Sequence, residues 1–230
     1  LGRLYANASI YGLGIILVRA GSILLLPLYW LRLEPSDYGI IGLTQAVSLF
    51  LAPVLGMGMV DAVQRFYYDW RVEERPHYLA AVWLFVLAVS ALVCGMLDLA
   101  GSRLFALLFD QVAFDPYLRI AIWTAFATNL SMLPLMLLRV REQLRRYSYV
   151  VLGQFLTQAG ITLYLIFALE MGVTGYLLGT LIGAGLWGGY FIVCMLREAR
   201  WPLQRTHLTE PLCYALPIMP AAVLDGLNTI

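Results

Sequence analysis

Six apolar runs, each of helix-spanning length, constrain this chain more than any other feature. They are Ser9 to Leu31, Tyr38 to Val60, Tyr78 to Ala100, Tyr117 to Leu138, Tyr149 to Leu169 and Val173 to Met195. A hydrocarbon layer about 30 Å thick is crossed by roughly 20 helical residues, and every run meets that length. Membrane strands would instead alternate apolar and polar over roughly ten residues, and none of the six runs does so. The expected fold class is therefore all-α, a polytopic transmembrane helical bundle of six helices plus the start of a seventh. Composition agrees, with 61% hydrophobic and 13% charged residues, against about 25% charged in a soluble domain. The first run is longer than a signal-peptide core of about 7 to 15 residues and lacks a small-residue cleavage site after Pro27-Leu-Tyr-Trp-Leu, so it reads as a retained span.

Charge placement gives an expected orientation. All fifteen basic residues are arginine. Arg3, Arg65, Arg71, Arg75, Arg139, Arg141, Arg145, Arg146, Arg197, Arg200 and Arg205 fall at the amino terminus and in the even loops, whereas the odd loops hold only Arg32, Arg103 and Arg119. The positive-inside rule then places the amino terminus and the even loops in the cytoplasm, with aromatic residues such as Tyr29, Trp30, Tyr38, Tyr67, Tyr68 and Trp201 at the interfaces. A net charge of +1, spread over the loops, excludes the basic face of a nucleic-acid binder. Cys94, Cys194 and Cys213 form no zinc-type spacing with one another or with His77 and His207, so no metal and no cofactor are expected.

Within the loops, Gly101 to Asp115 carries Leu104, Phe105, Leu107, Leu108 and Phe109. Two readings fit this apolar piece: an amphipathic element in the outer interface, or a packed loop capping the bundle. The organisation expected along the chain is a six-helix lobe over residues 1–200, a cytoplasmic linker over 201–210 and the first part of a seventh helix over 211–230.

Few residues within the spans could carry function. Arg19 lies about ten residues into the first run, roughly 15 Å at 1.5 Å per residue. An arginine at the bilayer centre costs at least about 2.5 kcal/mol, so such residues usually face an interior cavity; the other reading is a span beginning near Gly14, which would let Arg19 snorkel. Facing a lumen, its guanidinium suits an anionic cargo. Gln154, Thr157 and Gln158 share a helical face, as do Thr124, Thr128 and Ser131 with Asn129 beside them; Gln45 adds an amide from the second span. These are candidates either for a hydrated cavity that hydrogen-bonds sugar hydroxyls or for polar contacts between helices. Asp61 and Arg65, four apart at the end of the second span, form by default a surface ion pair and in the functional reading a cytoplasmic gate. Gly175, Gly179 and Gly183 repeat every fourth residue, which permits close helix approach. Paired acids or clustered histidines of a membrane glycan enzyme do not occur, so no catalytic residues are expected.

Three segments carry a resemblance: Gly12-Leu-Gly-Ile-Ile-Leu-Val-Arg-Ala-Gly-Ser-Ile-Leu-Leu-Leu-Pro-Leu-Tyr, Leu33-Glu-Pro-Ser-Asp-Tyr-Gly-Ile-Ile-Gly-Leu, and Gly56-Met-Gly-Met-Val-Asp-Ala-Val-Gln-Arg-Phe-Tyr. Together they resemble the polysaccharide (O-antigen type) flippases of the multidrug/oligosaccharidyl-lipid/polysaccharide exporter superfamily, over the amino-terminal six-helix half and the start of the seventh helix. The resemblance implies a plasma-membrane transporter that carries an undecaprenyl-pyrophosphate-linked oligosaccharide to the outer leaflet by alternating access, for polysaccharide or lipopolysaccharide biosynthesis. Its implied partners are the lipid-linked oligosaccharide, the lipid bilayer, the carboxyl-terminal lobe and other polysaccharide assembly proteins. It also implies that Arg19 contacts the pyrophosphate or an acidic sugar and that Arg65 is the arginine of the second-helix motif. A cation-coupled multidrug exporter would need carboxylates well inside the spans, where this sequence has none. A lipid II flippase of the same superfamily stays open as an alternative.

Overall fold

The computed structural model describes residues 2–108, 114–198, 208–215 and 217, with side chains described for residues 12, 14, 16–101, 103, 114–198, 208–215 and 217. All regular structure among these residues is helical. The helices are α1 (Gly2–Trp30), α2 (Pro35–Gly56), α3 (Met59–Phe66), α4 (Arg75–Leu108), α5 (Arg119–Val140), α6 (Leu144–Phe167) and α7 (Gly172–Glu198). A kinked turn, Phe114–Leu118, leads into α5. Among the described residues five helices are long and apolar enough to cross a membrane, and Ile16–Trp30 of α1 forms a shorter apolar helix. The protein is thus a multi-pass membrane protein, its long helices following the six runs of the sequence.

The second span stops earlier than hydropathy suggests. Its start is local: Pro35 occupies the first helical turn, where a missing N–H costs nothing, and the Glu34 N–H donates to Asp37 Oδ2 at 3.0 Å. Its end is a backbone break, because Met57 (φ 47°) and Gly58 (φ 66°) are both left-handed. The Met57 N–H donates to Pro53 O at 2.9 Å, and the chain restarts as the short amphipathic α3. Hydropathy runs on to Val60; the helix ends at Gly56. Glycine is required at 58 twice over, since a Cβ there would lie 3.0 Å from Ala215 O in a conformation that penalises L side chains. The third-loop piece differs as well: residues through Leu108 continue α4, and Phe109 lies outside the described residues. The linker 201–210 and the segment 211–230 are described only at 208–215 and 217, all helical.

Lipid offers no hydrophobic drive for helices to associate, so close packing has to supply it. α1 packs on α6, α6 on α7, α7 on α5, and α5 on α2 and α4. Glycines set the approach along that series. A Cβ at Gly21 would lie 2.6 Å from the Phe155 ring, at Gly153 2.9 Å from Trp187, and at Gly183 2.9 Å from Gln158 Cα. The largest core cluster joins α3 (Met59, Ala62, Val63) and the start of α4 (Tyr78, Val82, Trp83) to Leu133, Met136 and Leu137 of α5 and Met195 of α7.

The two ends of the bundle differ in charge. At one end Arg141 forks onto Glu198 (3.0 and 3.3 Å) and donates to Tyr67 Oη (3.1 Å), while Tyr68 Oη donates to Val140 O. These contacts draw the α3–α4 loop, the α5–α6 loop and the end of α7 into one arginine-rich face. Partial burial works against the Arg141 charge, but the bonds to Glu198 and Tyr67 more than offset it, and its pKa lies above the ordinary guanidinium value. The opposite end carries the pairs Arg32–Glu170 (2.9 Å) and Arg119–Asp98 (2.6 Å).

Candidate functional site

The principal cavity, about 700 Å³, opens between α1, α2, α6 and α7 in the half of the lobe away from the arginine-rich face. Its wall is mostly apolar on α1 (Val18, Leu25, Leu26), apolar and polar side chains mix on the other helices, and among its lining residues there is no charged side chain. Gln45 comes from α2, Gln154, Gln158 and Thr162 from α6, and Tyr176 and Thr180 from α7. Local geometry explains the set: 154, 158 and 162 recur every four residues, as do 176 and 180, so each group forms one stripe on its helix.

Hydrogen bonding inside the cavity is partly complete. Gln45 Nε2 donates to Tyr176 Oη at 3.2 Å, and the Tyr29 ring stands edge-on to Tyr176 at 5.4 Å. Thr180 Oγ1 is turned back onto Leu177 O (2.7 Å) and Ser22 Oγ onto Val18 O (2.9 Å). Thr162 Oγ1 is buried, 1% exposed, and has no hydrogen-bond partner. A buried hydroxyl without a partner is disfavoured by about 1–3 kcal/mol; this one lies against Gly179 in the close α6–α7 contact. Gln154 and Gln158 also line a smaller space of about 130 Å³ with Thr128 and Ser131 of α5. The two amides therefore stand between the two spaces and line both.

The structure sorts the residues expected from sequence. Gln45, Gln154 and Gln158 come together in the cavity wall. Thr157 does not line it, because it is rotated off the stripe formed by 154, 158 and 162. Asn129 is also elsewhere, 5% exposed in the core, where its Nδ2 donates to Ser90 Oγ (2.8 Å), which in turn donates to Leu55 O (3.0 Å). Asn129 is a packing residue joining α5, α4 and α2. Asn129→Ala is expected to destabilise the lobe by about 0.6–1.7 kcal/mol, the range of such bonds in membranes, measured as a lowered unfolding midpoint in detergent. Asp61 and Arg65 do not pair; Arg65 instead reaches Asp69 at 3.4 Å, and all three side chains are exposed.

Arg19 is exposed and does not line the cavity. At about 100° per residue its direction on α1 falls between those of Leu26 and Ile23, both lining residues. It sits one turn from Ser22 toward the arginine-rich end, and eleven residues, roughly 16 Å, from Trp30. Sequence reasoning missed Tyr29, Tyr38, Thr162, Tyr176 and Thr180 as cavity residues. The four-residue spacing of Thr162 from Gln158 was a usable signal, whereas Tyr29 and Tyr38 fit an interfacial belt equally well.

Comparison with known proteins resolves the family. A family model described as "Polysaccharide biosynthesis protein" matches residues 32–229. The chain belongs to that family. None of the curated proteins matches it. Among solved structures it is similar to a mutant of the Vibrio cholerae MATE transporter VcmN (TM-score 0.74, 16% identity, 98% of this chain and 53% of that one). It is also similar to an outward-facing multidrug resistance MATE family transporter of the MOP superfamily (TM-score 0.72, 17% identity, 97% and 52%), and to a MATE protein in complex with MaD5 (TM-score 0.60, 17% identity, 96% and 51%). At these identities the likeness shows the fold: this polysaccharide biosynthesis family member has the architecture of one lobe of a MATE transporter. The chain spans about half the length of those transporters.

Proposed function

We propose that the chain forms one lobe of a plasma-membrane transporter that flips a lipid-linked oligosaccharide, an undecaprenyl-pyrophosphate-linked glycan, by alternating access. The observation that carries this reading is the set of amides, hydroxyls and phenols placed among apolar residues in an uncharged cavity wall. Such groups donate and accept in turn, which matches sugar hydroxyls, and no carboxylate among the lining residues is placed to bind a coupling cation. Family membership supports a role in polysaccharide biosynthesis.

In this reading Gln45, Gln154 and Gln158 contact the glycan, Arg19 contacts the pyrophosphate or an acidic sugar, and the arginine-rich end is cytoplasmic. Asp61 and Arg65 lie at that end, at the mouth of the path, with Asp69 as the arginine's ion-pair partner. No residue is assigned a catalytic role.

The test expresses the gene encoding this chain in a host lacking its own flippase and measures surface polysaccharide at matched protein levels. Wild type is expected to restore it, and Gln154→Leu with Gln158→Leu to lower it about tenfold or more, the consequence of leaving cargo hydroxyls unpaired. No restoration by wild type overturns the flippase reading. Full restoration by the double variant overturns the cavity's part in it.

A further inference from the structure

A second concavity, about 380 Å³, lies at the arginine-rich end between the C-terminal turn of α5, the start of α6 and the end of α7. It is unlike the principal cavity in having charged lining residues, the guanidinium groups of Arg141 and Arg146 and the carboxylate of Glu198, above an apolar wall that includes Leu138, Val150 and Phe191. Arg141 is committed to Glu198 through two hydrogen bonds. Arg146 has only the neutral Gln143 Oε1, at 3.1 Å, and pairs with no carboxylate among the described residues. Arg139 and Arg145 are exposed on the same short stretch, whose one acid is Glu142; with Glu198 set against Arg141, four arginines face two acids and an excess of positive charge remains. Tyr149, 64% exposed, stands at the rim.

We propose that this groove is a binding site for the headgroup of an anionic phospholipid, with Arg146 as the phosphate contact and the apolar wall taking the upper acyl chain. Charge complementarity selects the anion, since a guanidinium binds phosphate oxygens through parallel N–H donors. The apolar wall directly beneath selects a lipid over a soluble anion, as in basic pockets between membrane helices that take acidic headgroups.

Native mass spectrometry of the detergent-purified chain, supplied with phosphatidylglycerol or phosphatidylcholine, tests this. Wild type is expected to retain a phosphatidylglycerol adduct and no matching phosphatidylcholine adduct. Arg146→Ala is expected to cut retention about fivefold, the effect of one basic residue at a membrane surface, and Arg146→Lys to keep most of it. Arg71→Ala, an exposed arginine at the same end, is expected to change nothing. Equal retention of the two lipids in wild type overturns the site whatever the variants do. Equal losses with Arg71→Ala and Arg146→Ala make the effect general surface charge, and displacement of the adduct by inorganic phosphate makes the site one for soluble anions; either result overturns the lipid assignment.

Discussion

Gly179→Leu is expected to destabilise the lobe by about 3 kcal/mol or more, while Gly189→Leu on the same helix leaves its stability unchanged. A Cβ at Gly179 would stand 2.6 Å from the Thr162 Cα and closer still to its hydroxyl. Carbon atoms pack best at about 3.5–4.0 Å, so α6 and α7 would have to part by about 1 Å before the rest of the leucine is placed. Backbone cannot turn aside as a flexible side chain can. The same stripe is tight above and below, with Cβ positions 3.2 Å from the Leu165 carbonyl at Gly175 and 2.9 Å from Gln158 Cα at Gly183. The separation therefore spreads along the interface. Overpacking usually costs about 1–3 kcal/mol, and a clash against backbone in the most extensive helix pair sits at or beyond the top of that range. At Gly189 a Cβ meets nothing within 4 Å, and leucine is the better helix former. The measurement is the monodisperse fraction on size exclusion after graded heating in detergent. If the two variants melt together, the glycine stripe is not what sets the α6–α7 approach.

The reach of the sequence can be judged from these same helices. Long apolar runs were legible because membrane crossing demands length and hydrophobicity, both of which are local. The end of α2 was not, because it depends on two backbone dihedrals, at Met57 and Gly58, inside a stretch that stays apolar to Val60. Asp61 and Arg65 have ion-pair spacing, yet Arg65 has a second acid four residues on the other side, at Asp69. In the structure it takes that one, while Asp61 stays in the first turn of α3, where the positive helix end favours an acid. Asn129 and Thr128 show a further limit. Hydrophobicity all round a helix hides which face is buried, so spacing alone could not tell that Asn129 points to Ser90 and Thr128 to the small space beside Gln154. Four-residue stripes read best on α6, where Gln154, Gln158 and Thr162 share a wall.

Arg19→Ala is expected to remove most surface polysaccharide in the flippase-deficient host, and Arg19→Lys to retain most of it. The side chain lies roughly 16 Å from the Trp30 end of α1, and in the proposed reading it serves the cargo path, since a charge at that depth is costly. Its sector of the helix is shared with Ile23 and Leu26, and it stands one turn beyond the cavity, which would place the charged pyrophosphate outside the neutral wall and the sugar within it. Lysine keeps the charge but not the two-pronged donor geometry, so partial retention is the expected signature of a charge-based contact. A charge reversal, Arg19→Glu, is expected to be worse than alanine, because it repels the cargo as well as losing the contact. The test compares the three variants at equal membrane abundance, with thermal midpoints measured in parallel. Activity lost in alanine and glutamate variants that melt like wild type supports the cargo contact. Full activity with alanine removes Arg19 from the mechanism, and a fall in midpoint that tracks the fall in activity makes it a structural residue instead.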